Sequence, residues 1–438
     1  MRPYPTLGLL YISAFLNEQG IDHDVFDTTF STTQKFKEHL LKTKPNVVAF
    51  YTNLMTKVKV ISLIQFIRNE PDLKDMKVVL GGPDLTYNIE NYLKAGADYL
   101  VIGEGEQTFF ELVEAIKIKG ELNQIEGLAY LENGQVVKTK PRTKIKELDE
   151  LPIPNRGAFP IKKYLETWKT AHGESALNVS TQRGCPYTCK WCSTAVYGQS
   201  YRRRSPANVV AELAILKEQY QPDTFWFVDD VFTVSHKWLK EFHAEILRTG
   251  LKVNFECITR AERMNTEVIQ WLKEAGCIRV WIGAESGSQR IIDAMDRRVD
   301  VNQVRDLLIQ TREAGIQTGT FIMVGYPGET IEDIRTTAKY LEDALPDYFT
   351  ITKSYPIKGT RLFEEIEANI TEQPDWFTST DREIDFKRKY SDSFYNWAIR
   401  YVNNRLEVAR KKAKGTNSLK PMIKAKLSEM MMLWKARF

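Results

Sequence analysis

Three of the five cysteines in this 438-residue chain fall within eight positions, in Gly184-Cys185-Pro186-Tyr187-Thr188-Cys189-Lys190-Trp191-Cys192. With three and two residues between them, their thiolates can converge on one metal centre only if the backbone makes a tight loop. That requirement constrains the fold more than any other stretch. A closed structural zinc site wants four tetrahedral Cys or His ligands and usually draws its second pair from a distant CxxC or HxxxH. The sequence offers no such second pair. Three thiolates do suit three corners of a [4Fe–4S] cube whose fourth iron takes a non-protein ligand.

The length suggests two or three domains, and 43% apolar residues suffice for full-sized cores. No apolar run approaches eighteen residues and no N-terminal signal pattern is present, so the chain reads as cytoplasmic. Cys257 and Cys277 lack partner spacing and are expected as buried core thiols. The net charge of +4 is unevenly placed: residues 405–437 hold ten Lys/Arg against Glu407 and Glu429, a local +8 that leaves −4 for the rest. Nucleic acid is not an expected partner.

Along the first 140 residues, apolar runs at 46–51, 77–80 and 99–102 read as strands. They alternate with amphipathic helices over 8–17, 58–68, 89–94 and 108–118. This alternation argues a parallel, doubly wound sheet, whose ligands bind at the carboxyl ends of the strands. Those ends carry Thr52, Gly81-Gly82 and Gly103-Glu104. Residues 128–138 read as a hairpin turning at Glu132-Asn133-Gly134-Gln135, and the charged, proline-containing stretch 141–175 as a linker. Six further strands, with helices between them, end in turn at Ser180, Asp229-Asp230, Arg260, Glu285-Ser286-Gly287, Gly325-Tyr326-Pro327-Gly328-Glu329 and Ser354-Tyr355-Pro356. Polar punctuation at successive strand ends is where a (β/α) barrel builds its site, so residues 176–357 are expected to form an open (β/α)6 barrel. The remainder, 358–438, reads as a helical, basic extension.

The CxxxCxΦC pattern, with Trp191 as the aromatic Φ, resembles the cluster loop of radical S-adenosylmethionine (SAM) enzymes. The resemblance implies that Cys185, Cys189 and Cys192 ligate a [4Fe–4S] cluster whose open iron chelates SAM. It further implies that Trp191 lies against the adenine, Arg260 reaches the SAM carboxylate, and Glu285 and Ser286 bond the ribose or amino group. Gly325 and Pro327 would shape the adenine pocket. Strand alternation puts Glu256 on the same face as Arg260, so both are candidates for the barrel interior.

Pro5-Thr6-Leu7-Gly8-Leu9, Thr52-Asn53-Leu54, Gly81-Gly82-Pro83 and Gly103-Glu104-Gly105-Glu106 resemble, in order, the cobalamin-binding domain that precedes the core in one branch of that family. On this resemblance Thr6, Gly8, Thr52, Asn53, Leu54, Gly81, Gly82, Pro83, Gly103, Glu104 and Gly105 face cobalamin in residues 1–140. The DxHxxG motif is absent: Asp22-His23-Asp24 lacks its glycine, which implies cobalamin bound without a histidine under cobalt. Only Met1-Arg2 precede the segment that follows the family's first strand, so either the sheet lacks that strand or the chain begins late.

Plainer readings stand beside these. Arg260 and Glu285 could form a structural ion pair, Asp229-Asp230 could cap a helix, and Arg202-Arg203-Arg204 could be a solvated run or a cation steadying the cluster. Residues 419–438 read as a basic amphipathic helix, either packed on the barrel with a solvated basic face or touching a membrane surface. The family resemblance implies methyl transfer to an unactivated carbon or phosphorus of a small-molecule, natural-product or lipid substrate, with flavodoxin or ferredoxin as electron donor. The alternatives are a cobalamin-dependent cyclisation, rearrangement or oxidation, and a non-catalytic Fe–S sensor or scaffold.

Overall fold

The computed structural model describes residues 3–193 and 196–437. Its N-terminal sheet runs β1 (Val47–Tyr51), β2 (Lys77–Gly81), β3 (Tyr99–Val101), β4 (Leu128–Glu132) and β5 (Gln135–Lys138) in spatial order. The first three strands are parallel, but β3–β4 and β4–β5 are antiparallel, so the sheet is mixed rather than wholly parallel. The hairpin can join because Asn133 and Gly134, at φ 51° and 78°, supply the left-handed pair that a two-residue turn requires. Val78 and Leu80 of β2 face a core with Ile64 and Tyr92, whereas Val79 faces Leu112 on the other side. Burial on both faces is why β2 reads as an unbroken apolar run. Among the described residues no strand precedes the helix Leu7–Glu18, and β1 is an edge of the sheet.

The second sheet is a curled half-barrel of six parallel strands in sequential order. They are β6 (Ala176–Val179), β7 (Thr224–Phe227), β8 (Phe255–Thr259), β9 (Cys277–Glu285), β10 (Gln317–Val324) and β11 (Tyr348–Lys353). Among the described residues six helices lie between them; the short one, Gln289–Ala294, has no side-chain cap, and four start on a cap that accepts a first-turn N–H: Ser205, Ser235, Asn265 and Asp300. The fifth cap, Thr330, adds a reciprocal bond from Asp333. Each cap satisfies a donor that the helix start would otherwise orphan. Cys257 and Cys277 lie buried in the barrel core.

The stretch 141–175 is not a loose linker. It carries the helix Ile161–His172, whose Ile161, Tyr164 and Leu165 enter the barrel core. Tyr164 donates its hydroxyl to Asp27 at 2.8 Å, and Trp168 Nε1 donates to the Pro3 carbonyl at 2.7 Å. Its apolar face was hidden by the surrounding charge and proline. The C-terminal extension is equally integral. The helix Asp392–Ala413 lays Phe394, Tyr395, Ala398 and Tyr401 into the same core, and Trp376 meets Tyr92 of the first domain edge-on at 4.7 Å.

The two glycines at the end of β2, Gly81 and Gly82, have different reasons to be there. A Cβ on Gly81 would meet nothing within 4 Å, whereas one on Gly82 would lie 2.2 Å from the Thr52 carbonyl oxygen, at φ +124°. Gly82 therefore serves the packing of two loops, and Gly81 leaves a groove open. We expect Gly82→Ala to destabilise the protein by about 2–4 kcal/mol and Gly81→Ala to leave it within about 1 kcal/mol, measured by chemical denaturation of both variants.

Candidate active site

After β6 the chain makes a short strand, Gln182–Arg183, that pairs antiparallel with Arg202–Arg203 and closes the base of the cysteine loop. Gly184 is required there: at φ +85°, a Cβ would lie 2.4 Å from Ser200 Oγ. Asp229, at the end of β7, is fully buried and accepts the Thr181 N–H at 2.8 Å and the Gln182 N–H at 3.1 Å. Burial pushes its carboxyl above the usual range, and Arg203, 3.8 Å away, opposes that. Asp229 thus caps no helix. It pins the entry to the cysteine loop, while Asp230 beside it is exposed.

The run Arg202-Arg203-Arg204 is neither solvated nor a free cation near the cluster. Arg202 Nη1 pairs with Glu104 at 2.6 Å and also donates to the Ile145 carbonyl. Arg203 stacks on Trp238 at 3.4 Å and donates to the Phe232 carbonyl at 2.7 Å. Arg204 pairs with Glu212, which Arg156 also approaches at 3.4 Å. Each arginine fastens a different neighbour, because a guanidinium offers five donors in a planar fork.

Arg260 leaves the end of β8 for the cysteine loop. Its Nη1 donates to Cys189 Sγ at 3.3 Å, its Nη2 to the Arg297 carbonyl at 2.7 Å, and its plane lies 4.0 Å above the Tyr187 ring. Its ion-pair partner is Glu262, not Glu285. Arg297, which no sequence motif singles out, is buried beside it; its Nη1 makes no hydrogen bond and stands 3.8 Å from Glu262, so the two guanidiniums share that carboxylate next to the Cys189 thiol. No periodicity marks Arg297, since it sits just past a short helix rather than at a strand end. Cys185 and Cys192 both feel the charge of Cys189 and Asp230, which places the three thiols in one neighbourhood. Among the described residues no three His, Cys, Asp or Glu side chains close on a single metal ion. A cube binds one cysteine per iron, so its thiolates stand apart, and three thiols with a cation behind them fit it.

Glu285 closes β9 in the left-handed region, at φ +63°, where the register with β10 shifts. A non-glycine residue held there is strained, and such strain clusters at functional sites. Loss of water around the half-buried carboxyl pushes it up to about 7, against the pull of Arg297 and Arg260. Other expected residues serve the framework. Ser286 Oγ accepts the Ser288 N–H at 3.1 Å and meets Thr337 Oγ1 at 3.2 Å, closing its own turn. Gly325 donates its N–H to Glu329 at 2.6 Å, with Pro327 on the turn so formed, and Trp191 packs against the barrel core.

Glu256 is a correction. Four residues along a strand span about 13 Å, and Glu256 sits toward the opposite end of β8, accepting Arg279 at 2.6 Å and Trp281 Nε1 at 3.1 Å. Alternation gave its face correctly but not its depth, and Glu256 closes the bottom of the half-barrel.

On the N-terminal side Thr52 is fully buried with its Oγ1 unpaired, and Gly81 opens beside it, a cradle that fits the tail of a bound cobalamin. Gly8 has only the Tyr51 ring edge at 4.0 Å, and Gly103 takes φ +88°. Asn53 Oδ1 instead accepts the N–H groups of Met55 and Thr56, Leu54 follows in that turn, Thr6 starts the helix Leu7–Glu18 with its carbonyl accepting the Leu9 and Leu10 N–H groups, and Gly105 packs on Ile12. Glu104 forms an ion pair with Arg202 and accepts the Ile145 N–H, so it docks the two halves. His23 has both ring nitrogens engaged, with Ser13 and the Ile21 carbonyl. A cavity of about 320 Å³ lies between the halves, lined by Leu7, Gly8, Tyr11 and Pro83 on one side and by Gly184, Cys185 and Asp230 on the other.

Two outcomes follow from this geometry. Cys185→Ala, Cys189→Ala or Cys192→Ala should each abolish the roughly four irons per chain of a reconstituted cube, whereas Cys257→Ala should keep them, by iron assay. Arg260→Lys should weaken SAM binding by about tenfold or more in calorimetric titration, because an ammonium cannot hold a thiol, a carbonyl and a carboxylate at once.

Residues 2–113 match the B12 binding domain family and residues 179–341 the radical SAM superfamily. An uncharacterized methyltransferase of Pyrococcus horikoshii, PH0819, is 33% identical over 373 residues, covering 83% of this chain and 79% of that protein. The anaerobic magnesium-protoporphyrin IX monomethyl ester cyclase of Cereibacter sphaeroides is 27% identical over 84% of this chain, which spans 61% of the cyclase. The structure of the radical SAM methyltransferase TsrM from Kitasatospora setae, with cobalamin and a [4Fe–4S] cluster bound, shares the fold. Its TM-score is 0.71 at 20% identity, over 84% of this chain and 72% of that one. The chain belongs to the cobalamin-binding methyltransferase branch of the radical SAM superfamily.

Proposed function

We propose that this enzyme methylates an unactivated carbon or a phosphorus centre of a small molecule lodged in the cavity between its two halves. One observation carries the reading: the cysteine loop and the Gly8–Pro83 wall of the cobalamin domain line the same cavity, so both cofactor sites look onto one space. When bound, the cluster and SAM supply the hydrogen-abstracting radical and cobalamin supplies the methyl group.

The chain's own residues position and seclude. Arg260 and Arg297 present two guanidiniums for the SAM carboxylate, a planar match for that group. Glu285, poised near neutrality, can hold a proton against a ribose hydroxyl or the SAM amino group. Thr52 Oγ1 and the gap at Gly81 receive the cobalamin tail. Tyr11 and Leu7 roof the cavity with apolar surface that sheds water. Cys192 reaches solvent, and a flavodoxin- or ferredoxin-type donor would approach on that side.

The cyclase relative sustains a second reading, in which the same cofactors close a ring without net methyl transfer. The two differ in products. Anaerobic turnover with a methyl-accepting substrate should yield S-adenosylhomocysteine in amounts matching methylated product. 5′-Deoxyadenosine without S-adenosylhomocysteine would instead assign cyclisation or oxidation.

A further inference from the structure

The helix Leu419–Lys435 buries Pro421, Ala425, Ser428 and Met432 toward the protein, where it packs along the helix Asp392–Ala413. Asn404 donates to Ser428 Oγ at 3.1 Å, and Glu429 on the same side takes Arg335 at 2.9 Å. The opposite side, farthest from the protein at about 100° per residue, is not the solvated basic face that its lysines suggest. Leu419, Ile423, Leu427 and Met430 form a ridge there, with exposures of 61%, 61%, 52% and 60%. Lys420 and Lys424 flank the ridge on one side and Lys426 on the other. At the helix start a groove of about 360 Å³ is lined by Lys411, Lys420 and Lys424, with Glu407 as the one carboxylate on its wall. Among the described residues no ion pair joins Lys411, Lys412, Lys414, Lys420, Lys424 or Lys426 to an acid.

We propose that this face docks the enzyme onto an anionic lipid bilayer. A contiguous exposed apolar ridge on a folded protein marks a contact surface, and the chemistry here selects the occupant. The ridge is convex and about 25 Å long, suited to lying along a plane rather than filling a groove. Apolar side chains would enter the acyl boundary while the lysine stems reach back to the headgroups. The +8 balance of residues 405–437, on a chain otherwise at −4, complements an anionic surface. A second copy seated on this face would bring two cationic flanks together, which a symmetric interface cannot avoid. The helix does not cross the bilayer: among the described residues no helix is long and apolar enough.

The test is co-sedimentation of the full-length, cluster-loaded enzyme with vesicles. One set is phosphatidylcholine alone, and the other contains about one third phosphatidylglycerol. At least about tenfold stronger binding to the anionic vesicles is expected, falling as salt rises. The variants Ile423→Gln/Leu427→Gln/Met430→Gln and Lys420→Gln/Lys424→Gln should each bring binding down to the level of neutral vesicles. Circular dichroism and vesicle-free SAM cleavage should stay unchanged, so the outcome is separate from that of the methyl-transfer assay. Absence of vesicle binding, or equal binding to both compositions, overturns the proposal. So does a dimer on size exclusion that the triple glutamine variant dissociates, which would give the face to a second copy.

Discussion

The structure depends on a buried set of charges where the cobalamin domain meets the half-barrel. Arg183 lies between Glu106 and Glu104, and Arg202 also holds Glu104, with all four side chains at most 12% exposed. The two arginines sit on the paired strands at the base of the cysteine loop, and the two glutamates flank the turn after β3. One cluster of ion pairs thus sets the distance from the strand ends of one sheet to the cysteine loop of the other. Apolar residues of the same volume would hold the halves together as well, since desolvation consumes most of what buried pairs gain. What charge adds is direction: a guanidinium between two carboxylates tolerates few orientations, and removing one partner leaves a buried charge at a cost of about 3–5 kcal/mol.

A second layer of the same kind lies beneath. Asp229 and Arg203 secure the entry and exit of the loop, and the Arg156–Glu212–Arg204 group ties the exit to the helix Pro206–Tyr220. On its far side the loop is strapped by the helix Arg361–Ile366: Arg361 donates to the Thr188 carbonyl and Leu362 to the Lys190 carbonyl, at 2.9 Å for the latter. The cysteines themselves are left with few bonds, and Cys192 is exposed. The stiffness belongs to the frame, and the thiols of the loop are left freer than the backbone that carries them.

The sequence revealed what repeats or punctuates. Six barrel strands were legible because each is an apolar run ending in polar or glycine residues; that punctuation marked Arg260 and Glu285, whereas Cys185 stood out by the spacing of the three cysteines. The roles of charged residues were not legible. Glu104 pairs with a residue 98 positions away, and Arg204 shares Glu212 with Arg156, so local spacing holds no record of either arrangement. Glu256 shows the limit of alternation, which reports the face of a strand and says nothing of the depth along it. The helix Ile161–His172 escaped notice because its apolar stripe lies amid prolines and charge. The glycine pair at the end of β2 was seen as one feature and proved to be two, one conformational and one spatial.

The place of the helix Asp392–Ala413 bears on how the chain is made. Its aromatic side chains complete the core of a barrel whose last strand, β11, ends at Lys353. A nascent chain that has just delivered β11 therefore has all six strands but an unfinished core, and it holds apolar surface open until a further forty to sixty residues leave the ribosome. Cobalamin-side contacts such as Trp376 on Tyr92 come from that same late segment. The two halves, though encoded in succession, mature together once that segment has emerged, and chaperone occupancy should fall on that interval.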